Sequence, residues 1–180
     1  LSSEGSRPRL PWAMALPSYK KDPNPILPIL NNLKNDSCEV VRRSVANNIN
    51  DIAKDNVDIV VDIAKKWIGN NKETDALVKH ACRTLLKQGN MQILNLFGFE
   101  SNCFKVSNFK VDTKIVKIGD SLEFSFSMTN KDTKSQKLRL EYGLYYMKNN
   151  GNLAKKVFKI SEREIDSNCT LDINRKQSFK

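Results

Sequence analysis

Val40-Val41-Arg42-Arg43-Ser44-Val45-Ala46-Asn47-Asn48-Ile49-Asn50-Asp51-Ile52-Ala53-Lys54 is the stretch on which the reading of this chain turns. Val41, Val45, Ile49 and Ile52 recur at helical spacing, so one face is built for burial. Asn47, Asn48 and Asn50 are poor helix formers, because their amides compete for nearby backbone groups. A helix that accepts them is expected to hold its other face against a ligand. Arg42 and Arg43 at its start suit phosphate, and Asp51 near its end suits a cation.

The same period extends to both sides. Ile26, Leu27, Ile29, Leu30 and Leu33 predict a short helix over about 25–34, followed by a turn at Asn35-Asp36-Ser37 and the main helix over about 38–55. Val57, Ile59, Val60, Ile63, Ala64, Trp67 and Ile68 mark the next helix. Ala76, Leu77, Cys82, Leu85 and Leu86 mark another, closed by Gly89 as a C-terminal stop. A shift of 37 residues sets Ile26 on Ile63, Leu30 on Trp67, Val41 on Val78 and Arg42 on Lys79. The pattern predicts tandem helix hairpins of roughly the HEAT or armadillo kind, with residues 91–99 as a cap. Such repeats stack into a curved solenoid whose second helices line the concave side.

After residue 100 the period falls to two. Leu122, Phe124, Phe126 and Met128 alternate with polar residues, as do Leu138, Leu140, Tyr142, Leu144 and Tyr146. Asn149-Asn150-Gly151-Asn152 favours a tight hairpin before Val157, Phe158 and Ile160. The expected fold is therefore multidomain, α then β. A HEAT-like helical-repeat solenoid fills residues 1–100, and an immunoglobulin-like β-sandwich fills 101–180, with the junction near 98–103.

Lys and Arg number 30 against 20 Asp and Glu, a net charge of +10. Residues 1–100 hold 14 basic and 11 acidic side chains (+3), and residues 101–180 hold 16 and 9 (+7). An excess of this size points to a polyanion, either nucleic acid or an anionic membrane surface. No apolar run approaches the roughly 20 residues of a membrane span, and no signal peptide is evident. Cys38, Cys82, Cys103 and Cys169 lack metal-ligand spacing, and a single histidine leaves little scope for zinc. Reduced thiols in a cytoplasmic protein are expected. The first residue is Leu1 and the last lie in strand-rich sequence, so a piece of a longer protein is expected, lacking residues at both ends.

Arg43, Asn47, Asp51 and Lys54 share one helix face by spacing. Lys79, Arg83 and Lys87 form an i, i+4, i+8 stripe in the following repeat, so two basic ridges are expected on the concave side, spaced for a phosphate backbone. The plainer reading is that charged stripes are solvated faces. In residues 1–19, Pro8, Pro11 and Pro17 forbid a long helix and stiffen a loop that carries Glu4, Arg7, Arg9 and Trp12. An aromatic ring with a carboxylate suits a planar cation. Alone, Trp12 reads as a packing residue and Glu4 as a cap.

Three runs carry a family likeness: Ser3-Glu4-Gly5-Ser6-Arg7-Pro8-Arg9-Leu10-Pro11-Trp12-Ala13, Val41 through Lys54, and Val78-Lys79-His80-Ala81-Cys82-Arg83-Thr84-Leu85-Leu86-Lys87-Gln88-Gly89. They resemble the HEAT-like-repeat DNA alkylation repair glycosylases of bacteria. The nearest subgroup is AlkC, in which an immunoglobulin-like domain follows the repeats. Leu140-Glu141-Tyr142-Gly143-Leu144-Tyr145-Tyr146-Met147-Lys148-Asn149-Asn150-Gly151 and Lys156-Val157-Phe158-Lys159 are similar to that domain.

The resemblance implies excision of N-alkylated bases, notably 3-methyladenine and 3-methylcytosine, from double-stranded DNA without a metal or other cofactor. By motif position, Asp51 and Glu4 match the acidic pocket residues and Trp12 the pocket tryptophan. The expected DNA contacts are Arg7, Arg9, Arg42, Arg43, Asn47, Lys79, Arg83 and Lys87 in the first half, and Lys148 on the hairpin of the second. The family has further helices before the Glu-Gly motif, with another pocket carboxylate, and a β domain that continues past Lys180. A monomer is expected, in the cytoplasm and on the nucleoid when bound to DNA.

The chemistry follows from the substrate. A methyl group on a ring nitrogen makes the base a cationic leaving group, and positive charge develops on the sugar in the transition state. A carboxylate stabilises that charge and orients water, with Asp51 expected to lead and Glu4 second. Trp12 stacked on the cation would contribute ~1–2 kcal/mol when desolvated. Departure needs no proton, so no general acid is required. The competing readings are a non-catalytic HEAT-type scaffold for DNA or an acidic protein, and a repeat protein whose basic face meets an anionic membrane.

Overall fold

The computed structural model describes residues 2–99 and 102–179. Glu100 and Ser101, at the expected junction, lie outside them. The chain divides into two compact units, residues 1–97 and 98–180.

The first unit is helical. It runs α1 (Ser2–Gly5), α2 (Pro17–Lys21), a 3-10 turn (Asn24–Ile26) leading into α3 (Leu27–Leu33), α4 (Glu39–Ile52), α5 (Val57–Trp67), α6 (Lys72–Ala81), α7 (Arg83–Gln88) and α8 (Met91–Leu96). Pro25 and Pro28 lack the N–H of a regular helix, which fits the short turn where one helix over 25–34 was expected. α4 is the centre. Val45, Ala46, Ile49 and Ile52 are buried along it, in one core with Leu30, Val60, Ala64, Val78, Leu85 and Ile93. Each fully buried aliphatic side chain contributes about 1.5–3 kcal/mol.

The asparagines of α4 hold neighbouring helices. Asn48 is fully buried, and its amide donates to Ser3 O (2.8 Å) and Ser6 Oγ (3.2 Å). Asn50 donates to Ala81 O (2.8 Å) and Thr84 Oγ1 (2.9 Å). Each trades weak helix propensity for hydrogen bonds that fasten α4 to the N-terminal segment and to the α6–α7 corner. The expectation that these amides face a ligand therefore fails for Asn48 and Asn50.

The helix expected over 76–86 starts earlier and is broken. α6 begins after Asn71, whose side chain accepts from Thr74 N at 2.8 Å. It ends at Ala81, beside the carbonyl held by Asn50, and α7 starts after Cys82. α7 stops at Gly89, whose φ of 74° is the left-handed conformation that a C-terminal stop needs.

The second unit is all β. Strand β2 (Ser121–Asn130) lies between β1 (Phe104–Val111) and β5 (Thr170–Ser178), and β3 (Gln136–Met147) pairs with β4 (Leu153–Ile165), all antiparallel. Phe124, Phe126, Met128, Leu138, Leu140, Ile165 and Ile173 form the core that the two sheets share. Alternation identified β2 and β3, and the Asn-Gly turn pointed to β4. β1 is a mostly exposed edge with a register shift between Ser107 and Lys110, where Asn108 has φ 54°. β5 is polar at most positions, and neither strand carries the alternation that revealed β2 and β3.

Candidate active site

The N-terminal segment is pinned to α4 by its smallest side chains. Ser44 Oγ donates to Ser3 Oγ at 2.9 Å, alongside the Asn48 bond to Ser3 O. That anchor sets Glu4 and, one turn later, Arg7 above the C-terminal half of α4.

Arg7 and Asp51 then meet across 44 residues of sequence. Arg7 Nε and Nη2 approach Asp51 Oδ2 at 2.8 and 2.7 Å, and Nη1 donates to Glu4 Oε2 at 3.0 Å. Lys54 Nζ donates to the other oxygen, Asp51 Oδ1, at 2.8 Å. The Asp51 side chain is 4% exposed and that of Glu4 is 44% exposed. Burial works to lower the Arg7 pKa, but the hydrogen bonds and charges of Asp51 and Glu4 outweigh it and leave the pKa raised.

The sequence reading has Asp51 leading at the sugar and Glu4 second. In the structure Asp51 is buried, with both oxygens bonded to cations, whereas Glu4 keeps a face open to solvent.

Beyond Arg7 the chain forms a closed loop. Leu16 N donates to Pro8 O at 2.9 Å, and Arg9 Nη2 holds both Asp55 oxygens at 2.9 and 3.0 Å. Trp12 stands in this loop with φ 63°, a conformation that costs a non-glycine residue of order 1–3 kcal/mol and clusters at ligand sites. Its relative exposure is 104%, so it does not cover the first helix.

The other expected DNA contacts divide by what their donors already hold. Arg42 donates to Asp36 O (2.7 Å) and Ser37 O (2.9 Å). Arg83 donates to His80 O (2.8 Å) and Asn47 Oδ1 (3.1 Å), and Asn47 Oδ1 also meets His80 Nε2 at 3.2 Å. Arg43 and Lys87 are exposed, and Lys79 is half-buried. The expected Lys79–Arg83–Lys87 ridge is interrupted, since Lys79 belongs to α6 and the other two to α7. Arg43 lines a groove of about 440 Å³ between α4 and α6 with Glu39, Lys72, Glu73 and His80. Lys148 is exposed in the second unit, where its backbone N–H closes the β3–β4 hairpin on Asn152 O at 2.8 Å.

Sequence reasoning passed over His80, Asp55 and Ser3. The one signal for His80 was its status as the single histidine, three residues before Arg83. Burial, then Arg83 and Arg43, lower its pKa. Burial pushes the Cys82 thiol up to about 12, which makes it an inert core residue. Among the described residues no three His, Cys, Asp or Glu side chains converge as metal ligands.

Comparison with known proteins places this geometry in context. Residues 105–180 match the family described as the C-terminal Ig-like domain of the uncharacterised protein YhaZ, so the β unit is an immunoglobulin-like domain. The chain is 46% identical over 181 residues to the uncharacterized protein YhaZ of Bacillus subtilis (strain 168), covering 100% of this chain and 50% of that protein. The structure is similar to that of Pseudomonas fluorescens alkylpurine DNA glycosylase AlkC bound to DNA containing an abasic site analog. There the TM-score is 0.93 and the identity 36%, over 99% of this chain and 50% of the other. This chain thus spans about half the length of each relative.

Proposed function

We propose that this protein is a DNA repair glycosylase of the AlkC kind, which hydrolyses the N-glycosidic bond of cationic N-alkylated bases in double-stranded DNA. 3-Methyladenine and 3-methylcytosine are the intended substrates. The observation that carries the reading is that one anchored segment bears both an outward carboxylate, Glu4, and a fully exposed Trp12 on strained backbone. The likeness to the AlkC structure over nearly the whole chain supports it. The helical unit is read as HEAT-like, and the basic side chains Arg43, Lys79, Lys87 and Lys148 as contacts to phosphate. The active form is a monomer that uses no cofactor.

The residues suggest a division of labour. Trp12 stacks on the cationic base or its sugar. As the bond breaks, its electrons neutralise the departing base and leave positive charge at the anomeric carbon. Glu4 faces that charge, and water adds there, passing its proton to the Glu4 carboxylate. Asp51 contributes from beneath, through the cations it holds. The Lys54 amine, paired as an ammonium with Asp51, is a poor nucleophile, which favours simple hydrolysis over a covalent imine.

The neutralised state of Asp51 also favours a second reading, a DNA-binding scaffold without chemistry. A base-release assay on alkylated duplex separates the two. Glu4→Gln and Asp51→Asn in the full-length protein should each cut the single-turnover rate about 100-fold or more. Trp12→Ala should cost about 10-fold. Binding to undamaged duplex should stay within about threefold throughout. Full release by both carboxylate variants would remove Glu4 and Asp51 from the chemistry, and no release by the unmodified protein would leave the scaffold.

A further inference from the structure

Arg7 is among the expected phosphate contacts, yet its donors point inward. Nε and Nη2 converge on one oxygen of Asp51, and Nη1 reaches back to Glu4. The side chain is 14% exposed. A planar guanidinium presents its donors as a rigid fork, so a carboxylate bonded on one edge fixes where the other edge points. Asp51 is itself immobile: it sits on the last turn of α4, is 4% exposed, and is held from its other side by Lys54. The chain of constraint therefore runs from the helix, through Asp51 and the guanidinium plane, to Glu4 Oε2. Glu4 lies on the four-residue α1, which has little rigidity of its own.

We infer that Arg7 is a positioning residue of the glycosylase reaction: its guanidinium joins buried Asp51 to Glu4 and holds the outward carboxylate in its working orientation. The inference rests on the glycosylase reading above. It also removes Arg7 from the phosphate-binding surface. A guanidinium spent on two carboxylates adds no counterion release when duplex binds.

Electrostatics gives the clamp a second effect. Taken alone, Glu4 and Asp51 would repel each other, and Arg7 between them offsets that repulsion. Glu4 is thereby tied by one oxygen and free to turn the other towards a cation. Lysine could neutralise the pair as a point charge but could not bridge both partners in fixed directions.

The test uses the full-length protein, with Arg7→Ala, Arg7→Lys and the double variant Arg7→Ala/Glu4→Gln. Base release from alkylated duplex is followed under single turnover, and affinity for undamaged duplex is followed across a salt series. Arg7→Ala should lower the rate about 100-fold, the scale expected when a reacting group is misplaced by an ångström or so. Arg7→Lys should recover only part of that loss. The double variant should be no slower than Glu4→Gln alone, because the clamp acts through Glu4. Affinity for undamaged duplex and the slope of log K against log salt should match the unmodified protein, whereas loss of a phosphate contact would reduce that slope by about one. Circular dichroism at the assay temperature shows which variants are folded. If the alanine variant is not, Arg7→Lys and Arg7→Lys/Glu4→Gln carry the same comparisons.

Full activity in Arg7→Lys, losses that multiply with Glu4→Gln, or a shallower salt slope would each overturn the positioning role. Those results leave the glycosylase reading standing if the unmodified protein releases base. Failure of the unmodified protein to release base would overturn that reading, and the role of Arg7 with it.

Discussion

At the scale of single residues, His80 shows how neighbours decide what a side chain does. It is the chain's one imidazole, with Asn47 Oδ1 3.2 Å from Nε2 and two arginines, Arg83 and Arg43, near enough to oppose its protonation. Burial comes first in lowering its pKa and these charges add to it, so the folded protein holds the neutral ring. The sign for stability follows. The unfolded chain takes up the proton near its ordinary value of about 6.5, before the folded state does. The stabilisation is therefore complete above that value and declines as pH falls through the window beneath it. The unfolding midpoint should drop as pH falls below about 6.5, and His80→Gln should flatten that decline. An equal slope in the variant would assign the effect to other groups.

The residue scale is also where the sequence was least explicit. Glu4, Trp12 and Asp51 could be named from motif position. Their states could not, because Arg7 and Asp51 are 44 positions apart and nothing in either motif announces that they pair. The same holds for Arg9 with Asp55, and for Arg42 with the carbonyls of the preceding turn. An arginine in a sequence shows charge. Which of its donors are already engaged is a tertiary fact.

At the scale of elements, apolar periodicity carried the reading wherever an element buries one face. It gave the helices around α4 and the strands β2 and β3, with β4 following from the Asn-Gly turn, and it was silent on β1 and β5, whose side chains are mostly exposed. Polar joints escaped it as well. Asn130, at the end of β2, is fully buried. Its amide donates to Lys134 O (2.9 Å), Ile165 O (2.9 Å) and Asp166 O (3.2 Å), and its oxygen accepts from Asp132 N at 2.9 Å. One side chain thus ties the three-stranded sheet to the end of β4 in the other sheet. Asn130→Ala would strand buried backbone groups on both sides, at about 1–3 kcal/mol for each group left without a partner. Denaturant unfolding of the variant should show a loss of about 2–4 kcal/mol in the β unit. A loss below about 0.5 kcal/mol would mean that water replaces the amide at little cost.

At the scale of the whole molecule, the net charge of +10 was the sequence's best pointer to a polyanion, but it overstates the cations on offer. Arg7, Arg9 and Arg42 bond to carboxylates or carbonyls of their own chain. Arg43, Lys87 and Lys148 are exposed. Duplex affinity should therefore fall steeply with salt, but with a slope set by the exposed set and not by the total. Each of Arg43→Gln, Lys87→Gln and Lys148→Gln should make the slope of log K against log salt shallower by about one. Arg9→Gln should leave the slope unchanged while loosening the Trp12 loop, because its Nη2 already holds both oxygens of Asp55. The comparison isolates phosphate contact from general charge, since all four substitutions remove one positive charge. Equal changes in slope for all four would show that DNA responds to net charge alone, and the division between engaged and free cations would then have no bearing on binding.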